Sequence, residues 1–209
     1  MTLLGGGFAR ETDLAKALDI APTLVCADGG GNRALDWGHH PAGIVGDLDS
    51  VDVARMRGAG VPLWFVDDQN TTDLEKCLAV LSAPLVIGVG FLGGRFDHSL
   101  AAMNVLCRHP ERAVVLVGVE DVVFRLPASL SLELVKGTRV SLFPMNDVQA
   151  SSSGLLWPIE GLKFSPTTQI GCSNAALGGS VGLEVTRGDM ICVLPRDQLG
   201  AVVAAVSVF

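Results

Sequence analysis

In residues 1–118, short apolar runs alternate with segments of helical periodicity. This alternation is typical of a parallel sheet with helices packed on its faces. Ligands of such sheets bind beyond the carboxyl ends of the strands, so we expect function in the loops that follow the strands. The apolar runs predict strands at 2–4, 23–27, 43–45, 63–66, 85–89 and 113–117, and the periodic segments predict helices at 11–18, 32–37, 53–58, 72–81 and 98–108.

The pattern changes after residue 121, where strand-like segments follow one another without helices between them. Lys136-Gly137-Thr138 and Arg187-Gly188-Asp189 indicate hairpin turns, Ser151-Ser152-Ser153 indicates a loop or a strand edge, and the apolar run 201–209 indicates a closing core strand. We therefore predict an α/β domain over 1–120 and an all-β domain over 121–209. The strands of the second domain are predicted at 122–126, 131–135, 139–143, 181–185 and 190–194.

Composition narrows the class of protein. Of the 209 residues 49% are hydrophobic and 18% are charged, which is typical of a globular chain. The net charge of −7 argues against nucleic acid as the main partner, because phosphate backbones select basic surfaces. No apolar run reaches the roughly 20 residues that span a bilayer, and the amino terminus has no secretory pattern. We expect a cytoplasmic protein without a membrane partner.

The five cysteines support the same location. They are widely spaced, odd in number and form no Cys-x-x-Cys pair. This pattern predicts buried free thiols in a reducing compartment rather than a disulfide framework or a metal site.

Carboxylates are concentrated in short segments of the α/β half. Gly46-Asp47-Leu48-Asp49-Ser50 follows a predicted strand, and in extended geometry its two carboxylates point the same way. Such an Asp-x-Asp pair is a hard-oxygen ligand set suited to Mg²⁺, and the alternative is an aspartate-rich turn. Nearby Lys76 and Arg95 favour a phosphate as the companion of the metal, which indicates Mg²⁺-assisted phosphoryl chemistry.

The next segment, Gln69-Asn70-Thr71-Thr72-Asp73-Leu74-Glu75-Lys76, fits the start of a helix. Thr72 and Glu75 have the spacing of a capping box. Asp73 and Lys76 then lie on one face of the first turn, where they can present an acid to a metal and an ammonium to a phosphate. The alternative is a solvated ion pair.

Glycine-rich loops follow two of the predicted strands. Ala27-Asp28-Gly29-Gly30-Gly31-Asn32 lets backbone N–H groups approach a phosphate or an adenine, and the alternative is a tight turn with a capping side chain. The second loop ends in Gly93-Gly94-Arg95-Phe96-Asp97-His98 rather than in an apolar helix start, so it is not a dinucleotide fingerprint. Arg95 can grip phosphate oxygens while Asp97 joins the metal ligands, and His98 is either an orienting or a structural residue.

Taken in order, Ala-Asp-Gly-Gly-x-Asn, Gly-Asp-x-Asp-Ser, Asp-x-x-x-Thr-Asp-x-x-Lys and Gly-Gly-Arg-x-Asp-His resemble the motifs of the thiamine pyrophosphokinase family. The second domain adds Gly154-Leu155-Leu156-Trp157-Pro158-Ile159 and Gly171-Cys172-Ser173-Asn174, which look like two further segments of that family. Leu156 stands where the family often has Lys. The resemblance covers nearly the whole chain.

The resemblance implies an N-terminal parallel-sheet α/β nucleotide domain of Rossmann-like type, followed by a C-terminal β-sandwich that binds thiamine. It implies transfer of the pyrophosphoryl group of ATP to thiamine with Mg²⁺, giving thiamine diphosphate and AMP, in a homodimer with active sites at the interface. By motif, the metal ligands are Asp47, Asp49, Asp73 and Asp97, and the catalytic residues are Asp49, Asp73, Lys76, Arg95 and Asp97. ATP is held by Asp28, Gly29, Gly30, Asn32, Ser50, Gln69, Thr72 and His98, and thiamine by Trp157, Ser173 and Asn174.

Two alternatives stay open at this point. One is a pyrophosphokinase for another hydroxymethyl heterocycle, such as a pterin. The other is a catalytically silent sensor that binds a nucleotide or thiamine.

Overall fold

A computed structural model describes residues 1–206 and divides the chain into two compact units. The first unit comprises Met1–Val105 and Leu116–Val119, and the second comprises Leu106–Val115 and Glu120–Phe209. The sequence predicted a single boundary after residue 120, whereas the segment Leu106–Val115 is grouped with the second unit.

The first unit contains five parallel strands in the order β5-β1-β2-β3-β4, with helices between them in the chain. The predicted elements are confirmed to within two residues at nearly every end. The strands are β1 (Thr2–Leu4), β2 (Leu24–Ala27), β3 (Ile44–Gly46), β4 (Leu63–Phe65) and β5 (Val86–Val89), and β6 (Val114–Val117) spans the division between the units. The helices are α1 (Glu11–Ile20), α2 (Gly30–Asp36), α3 (Val53–Gly58), α4 (Asp73–Val80) and α5 (Phe96–Arg108).

The direction in which strands are added to the sheet reverses between β1 and β5, which makes this place a topological switch point. The chain moves outward from β1 to β4 and then returns to pair β5 with the other side of β1. At this point the loops after β1 and β5 are in contact, since the Gly7 N–H donates to the Gly90 carbonyl at 3.0 Å. A side chain at Gly5 would bring its Cβ within 2.8 Å of the same carbonyl oxygen. Open α/β sheets bind their ligands at such a point.

The second unit is a β-sandwich unit of antiparallel strands. One sheet has the order β11-β9-β13-β7 and the other the order β10-β12-β8. Alternation of side chains is clearest in β8, where Leu130, Leu132 and Leu134 are buried and the residues between them are exposed. The strands are β7 (Asp121–Arg125), β8 (Ser129–Leu134), β9 (Arg139–Pro144), β10 (Gln149–Ser153), β11 (Gly171–Ala175), β12 (Gly179–Arg187) and β13 (Met190–Pro195).

Both predicted hairpins are wrong, although the turns exist. β8 pairs with β12 while β9 pairs with β11 and β13, so the turn at Gly137 carries the chain from one sheet to the other. The turn at Gly188 does the same, because β12 pairs with β10 and β8 whereas β13 pairs with β7 and β9. Turn chemistry sets the local reversal, but burial of the apolar faces decides which strands pair.

The predicted closing strand is also wrong. Residues of the run up to 206 belong to the helix α6 (Leu199–Val206), which packs on β8 and follows a short 3₁₀ turn at Arg196–Gln198. The remaining residues, 207–209, lie outside the described part of the chain. Residues 201–206 are only Ala and Val and have no polar positions to reveal a period, so the sequence does not distinguish strand from helix there. The serine segment 151–153 lies in β10, at an edge of its sheet.

Within residues 1–206, none of the helices combines the length and apolar character needed to cross a bilayer.

Candidate active site

A cleft of about 770 Å³ lies at the carboxyl ends of the parallel strands. Every loop that follows β1 to β5 contributes to it, as expected for a parallel sheet. Ten of the residues predicted to bind ATP or metal, or to act in catalysis, line it: Asp28, Gly29, Asp47, Ser50, Gln69, Thr72, Asp73, Lys76, Arg95 and His98. The other four predicted residues of this half, Gly30, Asn32, Asp49 and Asp97, are not among the lining residues.

Three carboxylates converge beside the cleft. Asp28 follows β2 and Asp47 and Asp49 follow β3, and one oxygen from each lies within 4.8 Å of the others. Because β2 and β3 are paired in parallel, their carboxyl ends meet at one edge of the sheet. The expected extended geometry of Asp47-Leu48-Asp49 is wrong, since Leu48 has a left-handed φ of +61° and the segment bends.

Asp28 is the least solvated member of this group. Its side chain is buried, its Oδ2 accepts from the Ser50 N–H at 3.2 Å, and its Oδ1 is buried without a hydrogen-bond partner among residues 1–206. Burial, with the nearby Asp49 and Asp73 carboxylates, raises the pKa of Asp28. A buried oxygen without a partner beside two further carboxylates is a donor set that fits a hard divalent cation such as Mg²⁺.

Lys76 supplies positive charge to the same region. Its side chain is 3% exposed, and its Nζ lies 2.6 Å from Asp47 Oδ2 and 3.8 Å from Asp73 Oδ1. The hydrogen bond from Lys76 lowers the pKa of Asp47. Burial alone would lower the pKa of Lys76, but the Asp47 and Asp73 carboxylates outweigh it and the pKa is raised. Lys76 is therefore a buried, charged lysine rather than half of a solvated ion pair.

The start of α4 positions Lys76 and Asp73. Thr72 is the N-cap, and its hydroxyl accepts from the Glu75 N–H at 3.5 Å, which confirms that half of the capping box. Leu74 and Leu78 are buried, and α4 packs against β2 and β3. The first turn of α4 is thereby placed next to the loop that carries Asp47.

Arg95 and Asp97 form a pair of their own. The guanidinium binds the carboxylate through two contacts, Nε to Oδ1 at 3.1 Å and Nη2 to Oδ2 at 2.6 Å. Both side chains are largely exposed. The hydrogen bonds from Arg95 lower the pKa of Asp97. The structure thus brings Asp47 and Asp49 together with Asp28, whereas it pairs Asp97 with Arg95.

Asn32 and Arg33 connect α2 to neighbouring loops. The Asn32 side chain donates to the Ser50 carbonyl at 3.0 Å and accepts from the Asp52 N–H at 2.8 Å, so it joins α2 to the loop after β3. The Arg33 guanidinium donates to the carbonyls of Gly6 and Gly7 in the loop after β1. Arg33 was not among the predicted residues, because nothing in the local sequence pattern marks an arginine whose partners lie more than 20 residues away.

The residues predicted to bind thiamine lie in the second unit. Trp157 is 58% exposed and Ser173 is exposed, whereas Asn174 is buried. The Asn174 side chain makes two hydrogen bonds with the backbone of Trp157. It accepts from the Trp157 N–H at 3.1 Å and donates to the Trp157 carbonyl at 2.6 Å. The lining residues of the cleft all belong to the first unit.

The chain is similar to known proteins over most of its length. The family described as the catalytic domain of thiamin pyrophosphokinase matches residues 12–117, about half of the chain. The chain is 31% identical over 191 residues to thiamine pyrophosphokinase 1 of Oryza sativa subsp. japonica, which covers 75% of this chain and 72% of the relative. It is 30% identical over 216 residues to thiamine pyrophosphokinase 1 of Arabidopsis thaliana, covering 86% and 80%.

A solved structure shares the fold. The crystal structure of thiamin pyrophosphokinase from Geobacillus thermodenitrificans superposes with a TM-score of 0.77 at 21% identity, over 93% of this chain and 96% of that one. Because the family match covers half of the chain and the relatives cover most of it, the chain belongs to the thiamine pyrophosphokinase family of enzymes.

Proposed function

We propose that this enzyme transfers the pyrophosphoryl group of ATP to the hydroxyl of thiamine, giving thiamine diphosphate and AMP. The observation that carries the proposal is the cleft at the strand ends, where the buried Lys76 lies between Asp47 and Asp73 beside the carboxylates of Asp28 and Asp49. Family membership supports the same reaction. Pyrophosphoryl transfer depends on positioning and charge neutralisation, which these groups supply.

We infer that Mg²⁺ is held by Asp47 and Asp49 together with Asp28. When bound, the ion neutralises charge on the phosphate oxygens. Asp73 remains a candidate ligand beside Lys76, and the predicted role of Asp97 requires its pair with Arg95 to open. One carboxylate of the cleft accepts the proton of the attacking hydroxyl.

ATP is proposed to lie along the loops after the strands. The backbone of Gly29 allows close approach, while Ser50, Gln69, Thr72 and His98 line the cleft and offer polar contacts. The predicted contact of Gly30 with ATP is not supported, since Gly30 is buried against the end of β1. Lys76 and Arg95 are the cations proposed to contact the transferring phosphates and to stabilise the charge that develops on the departing AMP.

Thiamine is proposed to bind at Trp157 and Ser173. Its thiazolium ring is a cation, and an exposed indole contributes about 0.5–2 kcal/mol by a cation–π contact. As the family resemblance implies, we propose a homodimer in which the cleft of one subunit faces the Trp157 surface of the other. The assignment of cleft residues to the first unit and of Trp157 to the second is compatible with such sharing.

The decisive experiment measures AMP release from ATP and Mg²⁺ with and without thiamine, and follows thiamine diphosphate in the same samples. We expect thiamine-dependent AMP in one-to-one ratio with thiamine diphosphate. ADP as the product would replace the proposal with single phosphoryl transfer. Turnover of a pterin alcohol but not of thiamine would favour the other heterocycle, and binding of both substrates without AMP would identify a sensor.

Subunit sharing can be tested by complementation. We expect the variants Asp49→Asn and Trp157→Ala each to be weakly active at a thiamine concentration below KM. If each site combines a cleft from one subunit with Trp157 from the other, mixed dimers restore one intact site of two. Random exchange then gives about a quarter of the wild-type activity. No gain after verified subunit exchange would contradict the shared site.

A further inference from the structure

The surface that carries Trp157 and Ser173 is built around a bulge in β11. The register against β9 shifts between Gly171 and Asn174, so β11 has one extra residue there. Within the bulge Ser173 has a left-handed φ of +61°, a conformation that a residue with a Cβ adopts at a cost. Its N–H donates to the hydroxyl of Ser141 on β9 at 3.0 Å, and Ser141 is buried. Ser141 therefore stabilises the bent conformation that presents the Ser173 side chain to solvent.

Asn174 likewise stabilises a backbone conformation, in this case that of Trp157. Its Oδ1 accepts from the N–H groups of Trp157 at 3.1 Å and Ala175 at 2.8 Å, and its Nδ2 donates to the Trp157 carbonyl at 2.6 Å. The side-chain amide thus makes the two hydrogen bonds that a peptide group of a neighbouring strand would make. The Leu156 N–H donates to the Ala175 carbonyl at 2.8 Å and continues the pairing.

The result is a fixed backbone beneath an exposed ring. Trp157 is 58% exposed, so its indole has few packing neighbours to orient it, while its N–H and carbonyl are both bound by Asn174. Asn174 is 6% exposed and both acceptor positions of its Oδ1 are in use. It is placed to hold Trp157 rather than to contact a ligand.

We propose that Asn174 and Ser141 are positioning residues of the thiamine-binding surface, Asn174 through the backbone of Trp157 and Ser141 through the N–H of Ser173. The inference rests on the proposed function for the identity of the ligand. It reassigns Asn174, which sequence resemblance places among the thiamine-binding residues, and adds Ser141, which sequence patterns did not indicate.

The test uses Asn174→Asp, which keeps the size and the acceptor but replaces the donor to the Trp157 carbonyl with a carboxylate oxygen. Ser141→Ala removes the acceptor for the Ser173 N–H. The control is Asn104→Asp, the same substitution at an exposed site on α5. Thermal unfolding of each variant confirms that it is folded.

Two readouts separate positioning from a general loss of structure. The first is the fluorescence anisotropy decay of Trp157 in the free enzyme, obtained by subtracting the signal of the same variant carrying Trp157→Phe. The second is steady-state kinetics with KM for thiamine and for ATP measured separately. We expect faster local motion of Trp157 in Asn174→Asp and about a tenfold higher KM for thiamine in both test variants. The kcat and the KM for ATP should stay within about twofold, since neither residue lines the cleft.

Unchanged anisotropy and unchanged KM for thiamine in folded Asn174→Asp would overturn the proposal. A parallel loss for ATP and thiamine would also overturn it, because that pattern indicates a structural role. Failure of the proposed function is a distinct result: the parent enzyme would then release no thiamine-dependent AMP, whereas the anisotropy measurement needs no substrate.

Discussion

At the scale of single residues, the fold places the carboxylates of the candidate site close to one another and to a buried lysine. Asp28 is buried with an oxygen lacking a partner among the described residues, and Lys76 is buried against two carboxylates. Buried ionic groups are costly unless they are paired, and an arrangement of this kind supports the proposed binding role. The residues that matter most are therefore those whose removal leaves another charge without a partner.

Asp49→Asn is expected to lower turnover by about 10²–10³-fold, because it removes one charge from the group that we propose binds Mg²⁺. The measurement is Mg²⁺-dependent AMP release at saturating ATP and thiamine. Asp19→Asn, the same substitution at an exposed site on α1, is the control and should be near wild type. Undiminished Mg²⁺-dependent turnover in Asp49→Asn would contradict the metal role.

Lys76→Met is expected to lower both activity and the free energy of unfolding. Its removal leaves Asp47 and Asp73 facing each other without the ammonium, which we expect to cost about 1–3 kcal/mol. Urea denaturation in the presence of EDTA measures the stability without a contribution from bound metal. Lys16→Met, an exposed lysine on α1, is the control. Equal stability of the two variants would show that the buried ammonium has no structural role.

At the scale of elements, close packing of loops and helix ends sets the shape of the cleft. The start of α2 lies so near the end of β1 that a Cβ at Gly30 would come within 2.1 Å of the Leu4 carbonyl oxygen. By contrast, a Cβ at Gly58, the last residue of α3, would meet no atom within 4 Å. Both glycines lie in helices, but only at Gly30 does close packing leave no room for a side chain.

We expect Gly30→Ala to destabilise the protein by about 1–3 kcal/mol or more, because backbone must move to admit the methyl group. Gly58→Ala is the matched control and should be neutral or stabilising by about 0.5–1 kcal/mol, since alanine restricts the unfolded chain and favours the helix. Thermal unfolding of both variants makes the comparison. Equal and small effects at the two positions would show that α2 does not approach β1 this closely.

At the scale of the whole molecule, the family assignment from the sequence motifs is confirmed, and so is the expectation of free cysteines. Cys26, Cys77 and Cys192 are buried, as predicted, but Cys107 is only partly buried and Cys172 is exposed. The cytoplasmic location stays a prediction, and the thiols give a practical way to probe folding in both units.

Native alkylation with a maleimide at neutral pH is expected to label Cys172 rapidly. Burial raises the pKa of the Cys26 and Cys192 thiols to about 12, so only about 10⁻⁵ of each is thiolate at pH 7 even before access is considered. These two should react only after denaturation, as read by peptide mass spectrometry. Labelling of Cys26 at the rate of Cys172 in folded protein would contradict the buried environment at the end of β2.

Local features of this protein could be predicted from its sequence alone. Strands and helices of the first unit follow from apolar runs and helical periodicity. The rule that ligands bind after the strands led to ten predicted residues that line one cleft. Such features depend on neighbours within a few positions along the chain. The motifs Gly46-Asp47-Leu48-Asp49-Ser50 and Gly93-Gly94-Arg95-Phe96-Asp97-His98 accordingly pointed to the family.

Features that depend on residues far apart in the sequence became visible only in the folded structure. Pairing of β2 with β3 places Asp28 beside Asp47 and Asp49. Packing against β8 accompanies a helix over Leu199–Val206, where the sequence predicted a strand. The turn at Gly137 joins two sheets because strand pairing is settled by which faces are buried, not by the turn. Non-local pairing and burial are properties of the packed chain, and no short pattern of residues encodes them.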